Sequence, residues 1–207
     1  MSVANDERAA LVRTLRAAGP DAPTLCPGWT TRELAAHLLA RERRPDALLG
    51  IGVPRFAERR LRIERQITTG LDWPQMVDQL AAGPPMYSPL RWLNRVANIH
   101  EMFVHHEDVR RAAPGWTPRV LDERATGALR RLATYFAPTL IPGVPARVVF
   151  RAQDGAVLAR FGAGPEVTVT GAPGELLLFA FGRNEIRVDF AGDANDIDAV
   201  RQAERRF

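Results

Sequence analysis

Lysine is absent from this chain of 207 residues, so all 28 basic side chains other than histidine are arginine. A guanidinium keeps its charge to very high pH, so the sequence pI of about 10.4 overstates a formal net charge of only +4. The arginine-rich stretches, Arg41-Glu42-Arg43-Arg44 and the run from Glu58 to Arg65, are interleaved with glutamates. That pattern predicts solvated helix faces with i,i+4 ion pairs. A nucleic-acid partner is not expected, because phosphate binding needs a net basic stripe. Cysteine occurs once, at Cys26, which excludes an intramolecular disulfide framework and predicts a reducing, cytoplasmic setting. No apolar run approaches the roughly 18 residues of a membrane span, and no membrane partner is expected. The opening residues MSVANDERAA are polar and acidic, unlike a secretory leader.

What is present divides into two halves. Up to about residue 140 the apolar spacing is helical. Leu11, Val12, Leu15 and Ala18 place a helix over Asp6 to Ala18. Thr30 with Glu33 forms a capping box that starts the next helix, and Trp29 and Leu34 suit a hydrophobic staple across it; this helix is expected to end near Pro45. A polar helix over Pro54 to Gln66 and a short one from Asp72 to the Gly83-Pro84-Pro85 stop are expected next. A long helix is predicted from about Pro89 to Ala113, and another from Leu121 to Phe136. After Pro138 the period changes. Val148-Val149-Phe150 and Val157 to Phe161 flank Asp154-Gly155, a hairpin signal. Val167 to Thr170 and Ile186 to Phe190 read as strands, Pro173 to Phe181 and Asp193 to Arg205 as helices. The predicted class is α+β: an up-and-down four-helix bundle over residues 1–140, then a small α+β domain over 141–207.

Three of the four histidines fall in His100-Glu101-Met102-Phe103-Val104-His105-His106. At about 100° per residue, Glu101 and His105 lie only about 40° apart around a helix, and Asp108 returns to within about 20° of Glu101. His100 and His106 point about 100° and about 140° away from Glu101 and are not expected to share its ligand set. An i,i+4 carboxylate–imidazole pair suits Zn²⁺, Fe²⁺, Mn²⁺ or Ni²⁺; it equally suits a simple hydrogen-bonded pair. His37, mid-helix beside Leu34 and Leu38, is the one histidine outside the cluster and the candidate third ligand, or else a core residue. Three protein ligands would leave a coordination position open, as in catalytic sites. The zinc-protease pattern His-Glu-x-x-His fails, because Val104 stands where its second histidine belongs.

The string from Leu25 to Leu38, with Cys26-Pro27-Gly28-Trp29 and His37, resembles the second-helix motif of the mycothiol-dependent maleylpyruvate isomerase family, part of the DinB-like metal-binding helical superfamily. Glu101 to Val109 is similar to that family's Glu-x-x-x-His-x-x-Asp motif, and Val167 to Leu178 with Gly182-Arg183 resembles its small sterol-carrier-like domain. The resemblance implies His37, Glu101 and His105 as metal ligands, zinc first among the divalent ions, and mycothiol as thiol cosubstrate. His100 and His106 are not part of the family pattern.

The function expected is a cytoplasmic metalloenzyme, an isomerase or transferase. A metal-bound thiolate of a low-molecular-weight thiol would attack an electrophilic carbon of a small substrate. A hydrolase using metal-generated hydroxide, with His106 or Asp108 as proton acceptor, is the alternative; a non-enzymatic metal- or ligand-binding module is the third. Asp108 is otherwise an acceptor behind a metal ligand or a helix-surface charge paired with Arg111, and His106 a packing residue. Cys26 reads as an inert thiol, and Arg183 as a candidate holder of an anionic group. The metal, the substrate and the oligomeric state are left open.

Overall fold

The computed structural model describes residues 2–44, 57–88, 90–91 and 98–205. It is a mixed α+β protein, the predicted class. By compactness the chain divides into Met1–Thr117 and Pro118–Phe207.

The first unit is helical: α1 (Val3–Ala18), α2 (Thr31–Arg43), α3 (Ala57–Gly70), α4 (Trp73–Ala82) and α5 (Ile99–Arg111). The expected helix end at Pro45, the start of the polar helix at Pro54 and the start of the long helix at Pro89 lie outside the described residues. The helix starts carry their own signals. Thr30 and Glu33 close the capping box on α2, and Asp72 with Gln75 closes another on α4, with Pro74 in its first turn. Leu11, Leu15, Leu34, Leu38, Met76, Leu80 and Met102, from four helices, form one core. Each such side chain contributes about 1.5–3 kcal/mol by leaving water.

The Arg41–Arg44 stretch departs from expectation. Arg41 and Glu42 are buried rather than solvated. Glu42 accepts from both terminal nitrogens of Arg8 on α1, and Arg43 donates to the Gln79 carbonyl at 2.8 Å. These are long-range pairs, which sequence spacing does not reveal. Removing one partner of the buried Arg8–Glu42 pair would strand a charge at a cost of about 3–5 kcal/mol.

The second unit begins with α6 (Glu123–Leu140), whose Leu129, Leu132, Ala133 and Ala137 are buried. It packs on α7 (Pro173–Ala180) and on β2 (Val157–Phe161), so compactness groups it with the sheet rather than with the bundle, and the division falls at 117/118 instead of the expected 140/141. The helix also runs through Pro138 to Leu140. So near a helix end, a proline removes one backbone hydrogen bond without forcing an earlier stop. The sheet has the order β2-β1-β3-β4, with β1 at Arg147–Ala152, β3 at Glu166–Gly171 and β4 at Val188–Ala191. The β1–β2 hairpin forms as expected; β1 and β3 pair in parallel, which local pattern did not foretell. Gly162 must be glycine: it sits at φ +77°, and a Cβ there would lie 2.2 Å from the Ala146 carbonyl oxygen. The chain closes with α8 (Ala194–Gln202), N-capped by Asp193. Among the described residues no helix is long and apolar enough to cross a membrane.

Candidate metal centre

Three elements of the first unit converge on one cluster: α2, α3 and the stretch of α5 from Glu101 to Asp108. One ligand-type atom each from His37, Glu101 and His105 lies within 4.8 Å of the others. The rings of His37 and His105 are 5.4 Å apart between centroids and near-perpendicular. Helical geometry does what the spacing implied: Glu101 Oε2 is 3.5 Å from His105 Nε2, one turn on, and Asp108 Oδ2 is 2.9 Å from His105 Nδ1.

Each histidine has a carboxylate on one nitrogen. His37 donates from Nδ1 to Glu64 Oε1 at 3.0 Å, and the same oxygen accepts from Arg60 at 3.0 Å. His105 donates from Nδ1 to Asp108. With Nδ1 of each imidazole committed to a carboxylate, Nε2 is the nitrogen that would bind a metal, on giving up any proton it carries. Burial alone would raise the Glu64 carboxyl; the His37 hydrogen bond and charge, with Arg60, outweigh it and hold Glu64 ionised.

Glu101 is held in its charged form as well. Burial opposes ionisation, but hydrogen bonds from His100 and His105 and the nearby Arg41 keep its carboxyl well below the usual range. Arg41 Nε is 3.4 Å from Glu101 Oε1, and its Nη1 is anchored on Asn98 Oδ1 at 2.6 Å. His105 is pushed well above the usual histidine value: burial acts against this, and hydrogen bonds to Asp108, Cys26 and Glu101 prevail. His100 is not one of that group of possible ligands, yet its Nε2 comes within 3.5 Å of Glu101 Oε1. The angle between Cα directions is wide, but two long side chains on adjacent residues can still lean together.

The loop into α2 brings up a further group. Gly28 takes a positive φ of 76°, the Trp29 N–H closes a turn on the Cys26 carbonyl at 3.0 Å, and Leu25 N–H donates to the Asp108 carbonyl at 3.0 Å. Cys26 Sγ consequently donates to Asp108 Oδ2 at 3.2 Å and lies 3.9 Å from His105 Nδ1. Cys26, His105 and Asp108 form a second group of possible ligands within 4.8 Å, sharing His105 with the first. Trp29 serves twice. It packs on the core at the start of α2, and its ring lies 5.1 Å from that of His37.

The other expected site residues lie elsewhere. His106 is 3% exposed and turned to α1, with Nδ1 2.6 Å from Glu7 Oε1 and Nε2 2.9 Å from Thr14 Oγ1. Arg183 belongs to the second unit and donates to its own Phe181 carbonyl at 2.6 Å. Glu64 and Arg41 were missed because both sit in arginine–glutamate runs that read as solvent-facing. Ile63 and Ile67, one turn apart, were the available sign that α3 buries a face beside Glu64.

The donor set of two imidazoles and a carboxylate fits a divalent ion of the zinc type, and the carboxylates behind both imidazoles fit it further. Fold and cluster together define an α+β protein whose helical unit carries a His₂Glu group. Residues 2–65 match the sequence model of the mycothiol maleylpyruvate isomerase N-terminal domain, a span that includes His37 and Glu64 but ends before Glu101. No curated protein matches the chain significantly. Two crystal structures share its fold: the mycothiol-dependent maleylpyruvate isomerase, with a TM-score of 0.61, and a histidine-to-alanine mutant of it, with 0.63. Each is 16% identical and covers 91% of this chain, which covers 90% of theirs. The resemblance to the mycothiol-dependent maleylpyruvate isomerase family therefore holds by sequence at the N-terminus and by fold over nearly the whole chain.

Proposed function

We propose that the protein is a divalent-metal-dependent enzyme that uses mycothiol, or a closely similar small thiol, to isomerise or conjugate a small electrophilic substrate. His37, Glu101 and His105 would hold the ion, zinc first. The observation that carries this reading is the pair of carboxylates, Glu64 and Asp108, each fixing the tautomer of one candidate ligand histidine. When bound, the ion would supply Lewis acidity that lowers the pKa of a thiol and keeps it nucleophilic at neutral pH.

The chain's own residues prepare for this. Arg41 and His100 keep Glu101 ionised, so that it meets a cation as an anion. Asp108 and Glu64 hold the imidazoles in one orientation, which lowers the reorganisation needed on binding. Thiol addition across an activated cis double bond leaves a single bond free to rotate, and elimination then returns both the trans alkene and the thiol. Such an isomerisation consumes no thiol; conjugation would stop after addition.

The hydrolytic alternative needs a side chain to take a proton from water. The two expected for that, Asp108 and His106, are already hydrogen-bonded, the first to His105 and Cys26 and the second to Glu7 and Thr14. The thiol reading makes no such demand on them.

The test is to measure metal content, then follow cis-to-trans conversion of an unsaturated dicarboxylate by absorbance, with and without metal and mycothiol. Turnover is expected only when both are present and to vanish in His37→Ala. Turnover without thiol, or a His37→Ala variant as active as the unmodified protein, would overturn the proposal.

A further inference from the structure

A cavity of about 690 Å³ lies between α1 and the C-terminal end of α4, and none of its lining residues belongs to the metal cluster. On the α1 side the lining runs from Asn5 through Arg8 and Arg13 to Arg16, at spacings that keep to one face of the helix. Opposite stand Ala82, Pro84 and Arg91 among others. Four guanidinium groups therefore line one cavity, and among the described residues no carboxylate does.

Their neutralisation is incomplete. Arg8 is buried and fixed by Glu42 and the Leu80 carbonyl. Arg16 meets Asp78 at 2.8 Å, but both side chains are more than half exposed, and water screens such a pair. Among the described residues, Arg91 donates only to the Pro84 carbonyl and Arg13 has no carboxylate partner. Among the described residues, four positive groups thus meet two negative ones. Arg13 and Arg16 stand three apart on one helix, an arrangement that repels unless an anion sits between them.

We propose that this cavity is a binding site for a small multivalent oxyanion, separate from the metal centre. The guanidinium fork pairs with phosphate or carboxylate oxygens through two parallel hydrogen bonds. Arg8, held and neutralised by Glu42, forms the base, while Arg13, Arg16 and Arg91 are exposed and able to close on a ligand. Val12, Ala82 and Pro84 supply apolar wall for a short carbon skeleton. The volume lies in the range of about 300–1,000 Å³ typical of small-molecule sites.

Isothermal titration of the full chain, freed of metal because both probes chelate, tests this with pyrophosphate in one arm and citrate in the other at constant ionic strength. Saturable one-to-one binding is expected in at least one arm, and the tighter arm tells whether phosphoryl or carboxylate chemistry is preferred. A double Arg13→Gln, Arg91→Gln variant should bind at least about tenfold more weakly, a loss on the scale of two charge-assisted contacts. A His37→Ala variant should bind as the unmodified protein does. No saturable binding in either arm, binding undiminished in the double variant, or binding lost in His37→Ala would each overturn the proposal.

Discussion

His105 and His106 are consecutive residues that point about 100° apart around α5, and their two surroundings treat the imidazole in opposite ways. On the α2 and α3 side, His105 meets Glu101 through Nε2 and Asp108 through Nδ1, within 4.8 Å of a second histidine. On the α1 side, His106 has both nitrogens taken by Glu7 and Thr14, within a helix pair that buries it almost completely. A chemically useful histidine is thus distinguished by the company on its far nitrogen and by what converges on the near one. Burial alone does not distinguish them.

The sharpest way to break the contrast is His105→Ala. If this side holds a metal, removing a ligand should weaken binding on the order of a thousandfold, since a full zinc site is worth about 10–16 kcal/mol shared among its ligands. Competition titration against a chromophoric chelator would measure it. His106→Ala should leave metal affinity alone and cost about 1–3 kcal/mol of stability, because its buried hydrogen bonds with Glu7 and Thr14 are lost. Urea unfolding with the metal titration beside it separates the two outcomes. Equal loss of metal from both variants would erase the proposed difference between the faces.

A smaller effect is expected from the carboxylates behind the ligands. Glu64→Ala should weaken metal binding by about 10- to 100-fold while α3 stays folded, because an outer partner orients a ligand without touching the ion. Glu64→Gln, which can still accept from His37 Nδ1, should recover part of that loss. Unchanged affinity in Glu64→Ala would reduce the His37–Glu64 contact to packing.

Much of this architecture was legible from local signals. The Thr30–Glu33 capping box, the Asp154-Gly155 hairpin and the Glu101–His105–Asp108 stripe all follow from spacings of four residues or fewer, and each forms as read. What escaped was long-range. Glu64 approaches His37 across 27 positions, Arg8 approaches Glu42 across 34, and β1 pairs with β3 in parallel. In each case the local pattern was ambiguous, because a charge on a helix looks the same whether solvent or a partner helix faces it. The grouping of α6 with the sheet escaped likewise: its apolar stripe announces burial without saying against what.

The smallest effect belongs to a residue on neither face of α5. Thr30 caps α2, its hydroxyl engaging Glu33 and its N–H donating to Glu33 Oε2 at 2.9 Å, so it sets where the helix bearing His37 begins. Thr30→Ala should cost about 1 kcal/mol. Burial would raise the Glu33 carboxyl, but the hydrogen bonds from the Thr30 side chain and backbone outweigh it and hold its pKa below the ordinary value. A depressed folded pKa gives stability that is present above the unfolded value and lost as pH falls through the folded one. The unmodified protein should therefore lose more stability than Thr30→Ala between neutral pH and the acid range, and the gap between their urea midpoints should narrow as pH falls. If the gap instead holds constant into the acid range, Glu33 contributes nothing through its charge, and the cap acts through the Thr30 hydroxyl alone. Metal affinity at neutral pH should stay within a few-fold, because the many core contacts of α2 hold His37 in place even when its first turn frays.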